Sequence, residues 1–246
     1  MDLHNKHVVL TGATGGLGTA LAHALAAQGT VLGLAGRDAH KLQALQQAIR
    51  ARGGQAHTLC YDQSQPGMAV QLQQQAVAAM QHVDMLINNA GIIDFTAIEQ
   101  QSDDKIADIM ATNVTATLQL SRAFVSYFLQ REQGQLVFVG SIVGSLGFPH
   151  FATYCASKFA VHGFSQALRR ELVDTPLRVT YIAPRAIATP MNDDRTQAMW
   201  RESGQAIDPP EAVAATIVQG LLRDRQEIFI GQPQSFFAWL NGVAPR

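Results

Sequence analysis

Short, largely apolar runs alternate along this chain with longer stretches of helical period. Residues 7–10, 31–35, 56–61, 83–87, 135–139, 177–182 and 227–230 are short runs bounded by turn residues, the pattern of strands buried on both faces. Between them lie segments with helical spacing: 19–28 ended by Gly29, 39–52 closed by Gly53-Gly54, 66–81, 103–130, 153–173, and a helix opening at Pro209-Pro210-Glu211. In 103–130 the residues Ile106, Ile109, Met110, Val114, Leu118, Leu120 and Phe124 face a core, with Asn113 in their midst. Asparagine is a mediocre helix former; on the surface it is harmless, but buried it must satisfy its amide and marks a kink or a water site. No linker, repeat or low-complexity segment interrupts the alternation. The expectation is one α/β domain over residues 1–246, a parallel sheet covered on both faces, ending in an apolar tail over 233–246.

Composition narrows the class. The chain has 246 residues, 47% hydrophobic and 15% charged, with a net charge of −1, so no basic field points to nucleic acid or an anionic membrane surface. Two cysteines, Cys60 and Cys155, are too few for a disulfide framework and lack metal-ligand spacing, and no metal site is expected. The first residues lack a signal-peptide layout, and no apolar run approaches the ~20 residues of a transmembrane helix. A soluble cytoplasmic protein is the expectation.

The first strand runs into Thr11-Gly12-Ala13-Thr14-Gly15-Gly16-Leu17-Gly18, and a helix follows directly. In that setting glycines let the backbone approach a diphosphate, and the helix start offers unpaired N–H groups and a positive dipole end. The spacing is not G-x-G-x-x-G, because Leu21 stands at the third glycine, and a ligand-free tight turn is the plainer reading of the loop alone. The second strand ends at Gly36-Arg37-Asp38, where dinucleotide folds choose between cofactors. An acidic residue there would take a ribose 2′-hydroxyl. The Arg37 guanidinium suits a 2′-phosphate, so NADP(H) is preferred, with NAD(H) as the alternative. Asp38 reads as the N-cap of the next helix or, after a small shift in alignment, as the ribose acceptor. Asp62 can accept from an adenine amino group or cap a turn. Asn88-Asn89-Ala90-Gly91 can tie neighbouring loops together and leave bare backbone for a cofactor.

Tyr154 and Lys158 are four apart within 153–173, hence one turn apart on one helix face, with Ser141 upstream at a strand's end. A tyrosine titrates near ~10 and is a poor acid or base at neutral pH; a nearby ammonium favours the phenolate and lowers that value.

In order and spacing these parts resemble the short-chain dehydrogenase/reductase family over about residues 6–189. Thr11-Gly12-x-x-x-Gly16-x-Gly18 is similar to its nucleotide loop, and Asn88-Asn89-Ala90-Gly91 to its sheet-stabilising motif. Asn113, Ser141, Tyr154 and Lys158 are similar to its catalytic tetrad, including the thirteen-residue step from Ser141 to Tyr154. The resemblance implies a Rossmann-type doubly wound domain with a seven-stranded parallel sheet, a nicotinamide cofactor across the strands' carboxyl ends, and hydride transfer to or from a carbonyl carbon. Tyr154 would be the acid in reduction and, as phenolate, the base in oxidation. Lys158 would bind the nicotinamide ribose and lower the tyrosine pKa, Ser141 would hydrogen-bond the substrate oxygen where charge develops, and Asn113 would hold a water linking Lys158 to solvent. Thr11, Gly12, Thr14, Gly16, Leu17, Gly18, Arg37, Asp62, Asn89, Ala90, Gly91, Tyr154, Lys158 and Pro184 would line the cofactor's path, with Ile187 and Thr189 at the carboxamide.

One position departs from the family: Pro184-Arg185 stands where Pro-Gly is usual. Arg185 either recognises an anionic group on the substrate or its carrier or, the plainer reading, points outward and pairs on the surface. Substrate contacts are expected from Leu146, Phe148 and Phe151, and from Met191, Met199 and Trp200 in a lid over about 190–207. An apolar pocket under a lid suggests a hydrophobic ketone or a 3-oxoacyl chain, although Asp193, Asp194, Arg195, Arg201 and Glu202 make that lid partly polar. His150 reads as a surface loop residue and Cys155 as a packing residue. The resemblance also implies a homodimer or homotetramer built on the helices carrying Asn113 and Tyr154, where Ala156, Ala160 and Gly163 permit close packing. Phe236, Phe237, Trp239 and Leu240 would expose apolar surface unless the tail packs down. The rival reading is a dinucleotide-binding sensor without turnover, which has no need of a lysine-activated tyrosine.

Overall fold

The computed structural model describes the chain except residues 64, 66, 192–195, 197–198, 201–205 and 244–246, and the side chains of residues 234, 239, 242 and 243. The charged lid residues Asp193, Asp194, Arg195, Arg201 and Glu202 and the indole of Trp239 thus lie outside the described residues. Seven strands, β1 (His7–Thr11), β2 (Val31–Gly36), β3 (Gln55–Cys60), β4 (Met85–Asn88), β5 (Gly134–Val139), β6 (Leu177–Pro184) and β7 (Glu227–Ile230), form one parallel sheet in the order β3-β2-β1-β4-β5-β6-β7.

Successive strand residues point to opposite faces, and the sequence supplies apolar side chains to both. Val8, Leu10, Leu32, Leu34 and Ile87 share one core with leucines of α1 (Gly16–Ala26) and α2 (Ala39–Arg50) and with Val213, Ile217 and Leu221 of a helix over Pro210–Leu222. Val9, Leu86, Leu136, Phe138 and Tyr181 share the other with α3 (Met68–Met80), Phe124 and Phe128 of α5 (Ala116–Gln130), and Val161 and Leu168 of α6 (Ala152–Glu171). The helix over Pro210–Leu222 is α7. The strand order reverses between β1 and β4, which opens a crevice at the carboxyl ends, where open α/β sheets bind ligands.

Three differences from the sequence expectation have physical causes. The stretch 103–130 is α4 (Asp103–Met110) and α5 joined by one π-helical turn over Ala111–Thr115, with Asn113 buried inside it. Such wide turns redirect a side chain without ending the helix. The fourth strand begins at Met85, not residue 83, because the Val83 N–H donates to the Tyr127 hydroxyl at 3.1 Å. The apolar tail is a helix, α8 (Gln234–Val243); Ala238 is buried, and the Asn241 amide donates to the Ser145 carbonyl at 3.0 Å. Phe236, Phe237 and Leu240 remain exposed on it. Among the described residues no helix is long and apolar enough to cross a membrane.

Candidate active site

A cleft of about 540 Å³ crosses the carboxyl ends of β1, β2, β4, β5 and β6. At one end the chain turns through Gly12 at φ +62°, and α1 begins after Gly15 with no side chain capping its first N–H groups. Gly15, Gly16, Leu17 and Gly18 line the cleft there. A Cβ on Gly18 would lie 2.0 Å from the Gly12 carbonyl oxygen, so the turn closes this tightly only around glycine. A Cβ on Gly16 would lie 2.6 Å from the Thr189 side chain, so the segment after β6 reaches across to the glycine turn.

Thr11 does not line the cleft, contrary to expectation: it is buried beneath the loop as a fastener. Its hydroxyl accepts from the N–H groups of Asn89 (3.0 Å) and Ala90 (3.1 Å) and donates to the Ile87 carbonyl (3.3 Å). The Asn89 amide in turn donates to the carbonyls of Thr11 (3.0 Å) and Gly12 (3.2 Å). Gly12, Thr14, Arg37, Asp62, Asn89, Ala90, Gly91, Pro184, Ile187 and Thr189 all line the cleft. Asp38 turns away: its carboxylate caps α2 by accepting from the Lys41 N–H at 3.1 Å, and that bond is the main cause holding its carboxyl below the usual range. A bare glycine turn, an uncapped helix start and a lysine 3.7 Å from where a Gly91 Cβ would sit together fit a dinucleotide.

At the other end Ser141, Tyr154 and Lys158 converge. Ser141 opens a short 3₁₀ turn after β5; its hydroxyl accepts from the Val143 N–H at 3.3 Å, donates to the Pro184 carbonyl at 3.5 Å and lies close enough to the Tyr154 phenol to lower its pKa. Lys158, one turn along α6, is 6% exposed and donates from Nζ to the Val139 carbonyl at 3.1 Å, with Nζ 5.6 Å from the Tyr154 ring centre. Asn113 stands behind the cleft wall. Its amide pairs both ways with the Ile92 backbone (2.8 and 2.9 Å) and donates to Ser157 Oγ at 3.0 Å, tying the loop after β4 to α6.

The expected lowering of the Tyr154 pKa by Lys158 is corrected by this geometry. Burial pushes the phenol up, and the Ser141 hydroxyl brings it only partly back. The phenol therefore holds its proton, the form a reduction draws on. Burial pulls Lys158 the opposite way, down to about 8. A lysine lowered this far loses its charge as pH rises through about 8, not ~10.4. The kcat/KM for dinucleotide, which reports free-enzyme groups, is expected to hold below about pH 8 and fall above it. A profile flat to about pH 10 contradicts this.

Leu146, Phe148, Phe151, Met191 and Trp200 line the cleft beyond Tyr154, whereas half-buried Met199 lies off its wall. Phe151, 4% exposed, packs against Phe95, Phe148 and Tyr154 and so braces the tyrosine ring. His150 is exposed, and Cys155 is buried with its thiol pushed up by burial, a packing residue. Ile92, Ile93 and Val143 also line the cleft and were not anticipated, although an apolar Ile92-Ile93 pair directly after Gly91 was the available signal.

Arg185 lines the cleft, but its guanidinium is committed elsewhere. It pairs in two-pronged fashion with Asp208 (Nε to Oδ2 2.8 Å, Nη2 to Oδ1 2.6 Å) and donates to the Gln232 carbonyl at 2.9 Å. Gly231, at φ +98°, leaves the room its side chain fills. The substrate-anion reading loses its ground. Backbone bonds from Asp208 to Ala186 and from Ala188 to Asp208, both 2.9 Å, complete a knot behind Ile187 and Thr189. Arg185→Ala is expected to cost about 2 kcal/mol of stability, since hydrogen bonds to charged groups are the strong ones. An unchanged denaturation midpoint would contradict this.

A nucleotide cleft on a 3-2-1-4-5-6-7 sheet, with Ser141, Tyr154 and Lys158 at its head, defines a class. The chain belongs to the short-chain dehydrogenase/reductase family, and the short chain dehydrogenase family model matches residues 6–200. It is an NAD(P)-dependent oxidoreductase acting between carbonyl and alcohol. It is 33% identical over 256 residues to dehydrogenase/reductase SDR family member 7B of Bos taurus, covering 99% of this chain and 79% of that one. It is 31% identical over 229 residues to the 3-oxoacyl-(acyl-carrier-protein) reductase FabG of Escherichia coli, covering 93% and 88%. The fold matches a short-chain dehydrogenase/reductase of Burkholderia phymatum in complex with NAD at a TM-score of 0.89 and 22% identity, over 99% of this chain and 95% of that one. It matches a short-chain dehydrogenase of Sphingobium yanoikuyae in complex with NADPH at 0.83 and 25%, over 97% and 93%.

Proposed function

We propose that this enzyme uses NADP(H) to reduce a hydrophobic ketone or 3-oxoacyl group. The observation that carries the reading is the placement of Arg37 on the cleft wall while Asp38 is spent on capping α2, at the end of the cleft opposite Ser141, Tyr154 and the apolar side chains beyond them. A guanidinium there favours a 2′-phosphate, whereas a carboxylate not spent on a helix cap would have favoured the bare ribose. Ile92, Leu146, Phe148, Met191 and Trp200 offer a carbon chain contact without charge, because Arg185 is held by Asp208. The likeness to a 3-oxoacyl reductase supports an acyl chain.

In this reading the cofactor supplies the hydride, Gly12 to Gly18 and Arg37 hold its phosphates, and Asp62 meets the adenine. Lys158 holds its nicotinamide ribose, and Ile187 and Thr189 its carboxamide. Ser141 fixes the substrate oxygen beside the Tyr154 phenol, whose proton passes to the oxygen as it becomes alkoxide, a stronger base than phenolate. Asn113 keeps α6 in register with the loop after β4. Monitoring NADPH and NADH oxidation against aliphatic, aromatic and 3-oxoacyl ketones tests the reading: faster turnover with NADPH on apolar substrates is expected. Cofactor binding with no turnover across the panel would replace it with the sensor reading.

The same proposal includes a homodimer or homotetramer formed through α4, α5 and α6, where Ala156, Phe159 and Gly163 lie exposed along one face, and a cytoplasmic setting for its free thiols. Sedimentation velocity showing a monomer at micromolar concentration would remove the assembly.

A further inference from the structure

Tyr181, in β6, is completely buried and does not line the cleft. A core strand residue is usually satisfied by any apolar side chain. This one carries a hydroxyl, and both of its hydrogen bonds go to the backbone of one residue, Ser141. The phenol donates to the Ser141 carbonyl at 3.2 Å and accepts from the Ser141 N–H at 3.4 Å. The glycines on either side of the turn are shaped to it. A Cβ on Gly140 would lie 2.2 Å from the Tyr181 hydroxyl, and one on Gly144 2.6 Å from it.

The ring is held in its turn. His162, one helical turn beyond Lys158 on α6, stacks on it with centres 4.2 Å apart and planes 13° apart. That imidazole is fixed by Ser145 Oγ at 3.0 Å and the Gly144 carbonyl at 3.2 Å through Nδ1, and by Gln166 at 3.1 Å through Nε2. Phe229 of β7 closes the group edge-on against both rings. The helix that bears Tyr154 and Lys158, the strand that leads to Pro184 and the turn that bears Ser141 thus meet on one phenol.

We propose that Tyr181, locked by His162, is a positioning residue for the reaction: it holds the Ser141 backbone so that the Ser141 hydroxyl faces Tyr154. The kinetic half of this rests on the reading of the chain as a ketone reductase; the structural half does not. Tyr181→Phe keeps the ring and its stack and removes only the oxygen. Its kcat is expected to fall at least about tenfold, as small misplacements of catalytic groups do, with KM changed less than about twofold. In a Ser141→Ala background the same substitution should cost nothing further, because the group it positions is gone. A tyrosine with a merely structural role would give losses that multiply.

A readout without substrate stands beside the kinetics. The chain has four tyrosines, so protein labelled with ¹³Cζ-tyrosine gives a resonance for each, that of Tyr154 being identified by its loss in Tyr154→Phe. In Tyr181→Phe the Tyr154 resonance should move in the same direction as in Ser141→Ala. Multiplying losses, or a Tyr154 resonance that stays at its wild-type position, overturns the proposal. A protein that reduces no ketone defeats the reductase reading instead, and the resonance still decides the role of Tyr181. If Tyr181→Phe fails to fold, His162→Leu, which keeps the phenol but removes its stacking partner, is read by the same two criteria.

Discussion

Tyr154→Phe is expected to lower kcat by about 10³-fold, in the middle of the range contributed by a positioned general acid, and to leave dinucleotide affinity almost unchanged. The substitution removes one oxygen from a ring that Phe151 braces, so the cleft keeps its shape. It takes away the proton that burial retains on the phenol. The Lys158 bond to the Val139 carbonyl does not involve the phenol and survives. Steady-state kinetics beside a fluorescence titration of NADPH separates the two effects. A variant retaining more than about a tenth of wild-type kcat would show that the proton comes from elsewhere.

Gly18→Ala is expected to be the most damaging single methyl group at the nucleotide end. Its Cβ would stand 2.0 Å from the Gly12 carbonyl oxygen and 3.0 Å from the Ala13 Cα, all of it backbone that no rotamer can relieve. Overpacking of this kind costs about 1–3 kcal/mol or more. The strain falls on the turn whose N–H groups would meet the diphosphate, so affinity suffers together with stability. A loss of at least tenfold in NADPH affinity, about 1.4 kcal/mol, is expected by calorimetry, along with a lower denaturation midpoint. Undiminished binding would mean that the glycine turn does not cradle the cofactor.

Much of this arrangement was legible before any coordinates. Parallel strands buried on both faces have to be apolar at consecutive positions, and a run such as Val8-Val9-Leu10 can hardly be anything else once helices flank it. Tyr154 and Lys158 announced their shared face because four residues make one helical turn. The features that escaped depend on contacts between distant parts of the chain. Nothing near Arg185 reveals that Asp208 and Gln232 will claim it. The wide turn at Asn113 exists because Ile92 and Ser157 satisfy the amide there, and neither is a neighbour in sequence. Tyr181 reads as one more β-strand aromatic until Gly140 and Gly144 are seen to make room for its oxygen. The proton-holding state of Tyr154 reverses the simple expectation from charge, because helix spacing gives the distance between side chains but not the depth of burial that outweighs it.

The central claim, that a hydride passes to a carbonyl carbon beside Tyr154, is tested most directly with NADPH carrying deuterium at the transferring position of C4, incubated with the best ketone of the panel and analysed by NMR. The account predicts deuterium on the carbinol carbon of the product with wild-type enzyme and almost none with Tyr154→Phe over the same time. Alcohol formed without deuterium at that carbon, using NADPH labelled in turn on each face of C4, would contradict it.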